Sequence, residues 1–107
     1  MAFVYLLCDS GHDGMFKIGV TKTTIEKRIK QLQTGNGSEI FIVDYHETDY
    51  PYYIERMLHQ KFCCDRKVGE WFEMDIDQVK QFKEECHRLE ELIITMKDNK
   101  FFMKGLK

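Results

Sequence analysis

Glu55 and His59 stand four residues apart in Tyr53-Ile54-Glu55-Arg56-Met57-Leu58-His59, where apolar residues repeat at helical spacing. Their side chains therefore share one stripe of a helix. A carboxylate so placed can hold a hard divalent cation, and an imidazole beside it can support that carboxylate or pass a proton to a leaving group. The plain alternatives are a solvated glutamate paired with a neighbouring cation, and a partly buried structural histidine. Positive charge gathers at Lys17, Lys22, Lys27, Arg28 and Lys30, and again at Arg56, Lys61, Arg66 and Lys67. Acids gather between, at Glu39, Asp44, Glu47 and Asp49. The net charge is −2, so the whole chain is not a generic polyanion binder. Any grip on phosphate is local, and such patches suit an ordinary solvated surface almost as well.

The four cysteines, Cys8, Cys63, Cys64 and Cys86, include no C-x-x-C pair. A zinc site from Cys63, Cys64, Cys86 and His59 lacks the paired spacing such sites show. Free thiols in a reducing compartment are the expectation. The amino terminus has neither the basic region nor the long apolar core of a signal peptide, and no apolar run approaches the length of a membrane span. An intracellular chain, neither secreted nor membrane-bound, is expected.

The chemistry needs elements to hold it. At 107 residues, with 43% hydrophobic and 13% aromatic residues, the chain suits one packed domain, taken as residues 1–98, with residues 99–107 as a basic tail. Phe3 to Cys8 and Met15 to Val20 read as two strands of a hairpin around Ser10 to Gly14. Thr23-x-x-Glu26 matches a capping box, Ile25, Ile29 and Leu32 follow at helical spacing, and Gly35 closes the helix. Glu39 to His46 alternates imperfectly and reads as a third strand. Pro51 suits a helix start, and Ile54, Leu58 and Phe62 mark that helix's apolar face. Val79, Phe82, Cys86, Leu89, Ile93 and Met96 alternate spacings of three and four, predicting a long last helix. That stripe fits a homodimeric coiled coil or packing on the sheet; over barely three heptads, packing on the sheet is the stronger expectation. The order strand, strand, helix, strand, helix, helix makes an α+β domain.

Val4-Tyr5-Leu6 on the first strand resembles the GIY element, and Lys17-Ile18-Gly19 on the second the YIG element, of the GIY-YIG nuclease superfamily. Arg28 follows Gly19 by nine residues, on the helix the family places there, and Glu55 lies on the next helix. The segments Phe16 to Thr21, Leu32 to Asn36 and Gly69 to Phe72 are similar to the phage, viral and fungal branch described as DNA-binding GIY-YIG-like domains. The resemblance spans about residues 3 to 75 and implies a small three-stranded antiparallel sheet flanked by helices.

It also implies a metal-dependent DNA endonuclease hydrolysing phosphodiester bonds. Glu55 would hold Mg2+ or Mn2+, Arg28 would sit over the scissile phosphate, and Tyr5 would orient or deprotonate the water. Lys17 stands where the family commonly has a second tyrosine; a cation beside a phenol favours the phenolate, which would keep Tyr5 active. The family's downstream asparagine is missing, and Glu70 would compensate or anchor its loop. Lys22, Lys27, Lys30 and Arg56 would contact DNA, and His59 would join the catalytic group. Trp71 and Phe72 read as core residues. The competing expectations are a non-catalytic DNA-binding module and a dimerising interaction domain. With no appended domain in the chain, the expectation is loose sequence choice, structure-directed cutting, or a partner protein that supplies targeting.

Overall fold

The computed structural model describes residues 2–62, the backbone of 67–68, and 71–97. Its elements are β1 (Phe3–Asp9), β2 (Met15–Thr21), α1 (Ile25–Thr34), β3 (Ile40–Glu47), α2 (Pro51–Phe62), β4 (Lys67–Val68), β5 (Trp71–Glu73) and α3 (Ile76–Met96). The strands form one antiparallel sheet in the order β3-β1-β2-β5-β4. The expected three strands are therefore extended by a short hairpin. β5 holds to the start of β2 through Met15↔Glu73 and Phe16↔Phe72, with Phe72 as its buried anchor. Segments of two and three residues are too short for period-two alternation to register in a sequence.

β1 is an inner strand, and both of its faces are covered. Val4 and Leu6 pack with Ile18, Ile54, Leu58 and Phe82 on one side. Tyr5 and Leu7 pack with Ile25 and Ile40 on the other. A strand buried on both sides has no polar face, which is why Phe3 to Cys8 reads as an unbroken apolar run. β2 turns back from it after Gly14, whose φ of 78° lies in the left-handed region open to glycine.

The imperfect alternation of β3 has a structural cause. Leu6 faces Asp44 and Leu7 faces Ile42, so β3 carries one extra residue, Val43, opposite a single step of β1. Such a bulge shifts the side-chain period from there onward. β3 is also the outer strand of the sheet and exposes Phe41, Ile42, Val43 and Tyr45. Lys83 of α3 reaches over this edge. Its ammonium donates to the Tyr45 carbonyl, lies 3.5 Å from Asp44 Oδ1 and sits 5.1 Å from the Tyr45 ring centre. A charge on an outer strand discourages edge-to-edge pairing.

The helices differ from expectation in one cap, while α3 packs as its stripe predicts. α1 is capped by Thr24, not Thr23: the Thr24 hydroxyl accepts from Lys27 N at 3.3 Å, while the Thr23 hydroxyl bonds Thr21 Oγ1 at 2.9 Å. Adjacent threonines offer two frames, and the T-x-x-E match selects the wrong one. A full capping box occurs instead on α3, between Asp75 and Gln78. The α3 stripe of Phe82, Cys86, Leu89 and Ile93 is buried in the chain's own core beside Ile54 and Leu58. Burial there removes the surface that a coiled-coil dimer would use. Between its turns, the buried Glu85 carboxylate accepts from Arg88 Nε at 2.9 Å and Lys61 Nζ at 3.0 Å, tying α3 to α2. The Arg88 bond chiefly, with help from Lys61, holds Glu85 below the usual carboxylate range despite its burial.

Cys8 and Cys86 are free thiols, and burial pushes Cys86 up to about 12, a protonated and inert group. Cys63, Cys64, Glu70 and the tail lie outside the described residues. Among the described residues, no helix is long and apolar enough to cross a membrane.

Asp9 ends β1 as a hub for two loops. One carboxylate oxygen accepts from Gly11 N at 2.9 Å and from the Ser38 hydroxyl; the other accepts from Asn36 Nδ2 at 3.2 Å and bonds His12 Nδ1 at 3.3 Å. The Ser38 bond first, then Gly11, lower its pKa from 3.8 to about 2. A folded-state value below the unfolded one gives stability that is complete above the unfolded pKa and lost as pH falls. The unfolding free energy from urea titrations should therefore drop between about pH 4 and pH 2, by at most about 2 kcal/mol from this group. Asp9→Asn should be less stable at pH 7 and flatten that part of the profile; an unchanged profile would contradict the role given to Asp9.

Candidate functional site

β5 pairs with β2 only at Met15 and Phe16. From Lys17 onward, among the described residues, α2 rather than a strand borders that edge. His59 of α2 makes the link through Nε2, 3.0 Å from the Ile18 carbonyl oxygen. A carbonyl only accepts, so Nε2 carries the proton and donates it. The His59 ring also meets Phe72 edge-on, with centroids 6.5 Å apart.

On the other side of the sheet, Tyr5 pairs with Gly19 and lies across it. A Cβ on Gly19 would stand 2.6 Å from Tyr5 Cζ and closer still to the hydroxyl. Only glycine lets the phenol ring lie flat on β2. Arg28 comes from α1 to the same hydroxyl, and its Nε donates to Tyr5 Oη at 3.2 Å. Its Nη1 donates to Gln31 at 3.3 Å, which braces the guanidinium along the helix. Lys17 lies two residues from Gly19 on the Tyr5 face of β2, a diagonal cross-strand neighbour. Tyr5 is 1% exposed and Lys17 8% exposed, whereas Arg28 and Glu55 are half-buried.

Tyr5, Lys17, Arg28, Glu55 and His59 line one cleft of about 240 Å³, although they come from four different elements. Tyr52, Gly19 and Phe72 complete much of its wall. Among the described residues, the charged lining residues are Lys17, Arg28 and Glu55, two cations and one carboxylate, a balance that suits a phosphate together with a metal ion. Among the described residues, no group of three or more His, Cys, Asp or Glu could hold a metal. An all-protein cage of the zinc type is therefore not formed by them. One carboxylate at an open cleft does fit Mg2+ or Mn2+, which keep most of their waters and bind the rest through substrate phosphate.

The expected DNA contacts do not all converge. Lys27 and Lys30 are exposed on α1 near Arg28, and Arg56 is exposed on α2 next to Glu55, but none of the three lines the cleft. Lys22 is exposed beside it, its Nζ 5.4 Å from the Tyr52 ring centre. Trp71 is partly buried and Phe72 is buried, as core residues should be. Two contributors escaped the residue patterns. Tyr52 could have been found from its spacing of three before Glu55. The service Gly19 performs for Tyr5 depends on strand register, which no local pattern encodes.

The chain is similar to a known domain family. The model of the T5orf172 domain matches residues 2–87, a stretch that contains all five of these cleft residues. No curated protein and no solved structure matches the chain.

Gly19→Ala tests the packing directly. Its Cβ must displace a buried ring, so the expected loss is about 1–3 kcal/mol, with altered near-ultraviolet tyrosine dichroism. Gly35→Ala is the control, because nothing lies within 4 Å of its Cβ. Equal stabilities for the two variants in urea unfolding would contradict the close approach of Tyr5.

Proposed function

We propose that this chain, which belongs to the T5orf172 domain family, is a metal-dependent endonuclease of the GIY-YIG type that hydrolyses DNA phosphodiester bonds. The observation that carries this reading is the convergence of Tyr5, Lys17, Arg28 and Glu55 in one cleft, with Arg28 bonded to the Tyr5 hydroxyl at 3.2 Å. The GIY-like and YIG-like segments support it, because they are the paired strands that bring Tyr5 and Gly19 together.

Hydrolysis of a phosphodiester needs a placed water, positive charge at the phosphoryl oxygens and help for the departing alkoxide. Glu55 would hold Mg2+ or Mn2+, which when bound supplies charge at the phosphoryl and leaving oxygens. Arg28 offers a planar fork of donors that matches phosphate, and Lys17 adds a second positive charge in the same cleft. The Tyr5 ring is held against Gly19, so its hydroxyl has a fixed place from which to orient the attacking water. That hydroxyl lies under Arg28. A guanidinium that turns toward a phosphate uncovers it, which couples substrate binding to water placement.

His59 takes a narrower role than general acid. Its Nε2 proton is committed to the Ile18 carbonyl, so the ring acts by holding α2 on β2 and thereby setting Glu55 opposite Tyr5. Exposed Lys22, Lys27, Lys30 and Arg56 add sequence-independent attraction to the DNA backbone.

Plasmid nicking is the test. With Mg2+ or Mn2+, wild type should convert supercoiled DNA to nicked circles. Glu55→Ala and Arg28→Ala should each lower the rate by roughly a hundredfold or more. Both variants should still bind DNA in EDTA, with an affinity that falls as salt rises. Cleavage that survives Glu55→Ala would remove the metal assignment. Binding without cleavage under any divalent ion would overturn the enzyme reading in favour of a DNA-binding module.

A further inference from the structure

Tyr52 is 57% exposed, although it lies at the wall of the cleft. It sits on the first turn of α2, three residues before Glu55, so the two side chains stand on the same side of the helix. Its neighbour Tyr53 packs against the core, and Tyr52 does not. The ring also borders a second depression of about 290 Å³, shared with Lys22 and Asp49, and so forms a wall common to both. Lys22 covers one face of the ring, with Nζ 5.4 Å from its centre. Phe41 and Tyr45, also exposed aromatic rings, lie on β3, two strands away from β2.

We propose that Tyr52 is a stacking platform for one unpaired nucleobase beside the scissile phosphate, and that the substrate is DNA with a locally unpaired strand. The proposal rests on the DNA-cleaving reading of the cleft. An aromatic ring left in water has a large apolar face to bury, and every nucleobase offers a π-face of matching shape. In a continuous duplex both faces of a base are already stacked on its neighbours. Tyr52 gains a partner only where a base is unstacked, at a gap, a flap or a mismatch. The cation on one face holds the ring in orientation and leaves the opposite face for the base. The same ammonium stands beside the second depression, where the next phosphate of the strand can meet it. A strand running from the cleft over Tyr52 into that depression would thus be read by stacking and charge, with no need for base-edge contacts.

The test is binding in EDTA, which separates recognition from cleavage. The probes are an intact fluorescent duplex and the same duplex with a one-nucleotide gap. Wild type should prefer the gapped duplex. Tyr52→Leu should lose about tenfold in affinity for the gapped duplex and stay within about twofold on the intact one. Tyr52→Phe, which keeps the ring, should behave as wild type. Circular dichroism establishes that each variant is folded. Equal losses on both duplexes, or no loss on either, would overturn the stacking role while leaving the nuclease reading standing. A folded wild type that binds neither duplex would overturn the DNA reading itself, and the platform with it.

Discussion

The ring of Tyr5 lies against the Cα of Gly19 on the neighbouring strand, and the arrangement of the cleft follows from that contact. A ring this close to a backbone cannot share the space with a side chain, so β2 must carry glycine at that register position. With the ring laid flat, its hydroxyl ends beneath α1, where Arg28 donates to it. The guanidinium is thereby held over the sheet at the same edge of β2 that His59 fastens from α2. Glu55, one helical turn before His59, is carried into place by that fastening. Polar groups from opposite sides of the sheet thus meet at one open strand edge.

The remainder of the fold serves to keep that edge open and the others closed. An inner strand buried on both faces fixes the register, because a slip by one residue would turn Tyr5 into the α2–α3 core and Leu6 out of it. Among the described residues, β5 pairs with β2 at Met15 and Phe16, and α2 borders β2 beyond them. On the opposite edge, Lys83 occupies the Tyr45 carbonyl and places charge along β3. The Asp9 hub fastens the β1–β2 and α1–β3 loops at one end of the sheet, and the Glu85 ion pairs fasten α2 to α3.

Much of this was legible in the residues. Apolar runs marked β1 and β2 within a residue or two, helical periodicity marked α2 and α3, and Pro51 and Gly35 marked real ends. The spacing of Glu55 and His59 anticipated their shared cleft. What was not legible depended on register or on very short segments. Val43 obscured the period of β3 because a bulge is a relation between two strands. β4 and β5 carried too few residues to show a pattern. Thr23 and Thr24 competed for one cap, and the motif match favoured the one whose hydroxyl turns instead to Thr21. The buried hub at Asp9 joins residues nearly thirty positions apart, beyond the reach of any local motif.

The central claim is that Glu55 makes this cleft a single-carboxylate cation site acting beside Tyr5 and Arg28. Titration of Mn2+ into the labelled protein, followed by paramagnetic broadening of amide signals, tests it most directly. The expected result is broadening centred on Glu55 and His59, reaching Tyr5, Ile18 and Gly19 across the cleft, and abolished by Glu55→Gln in a folded protein. Broadening centred elsewhere, such as the acidic stretch from Glu39 to Asp49, or persisting unchanged in Glu55→Gln, would contradict it.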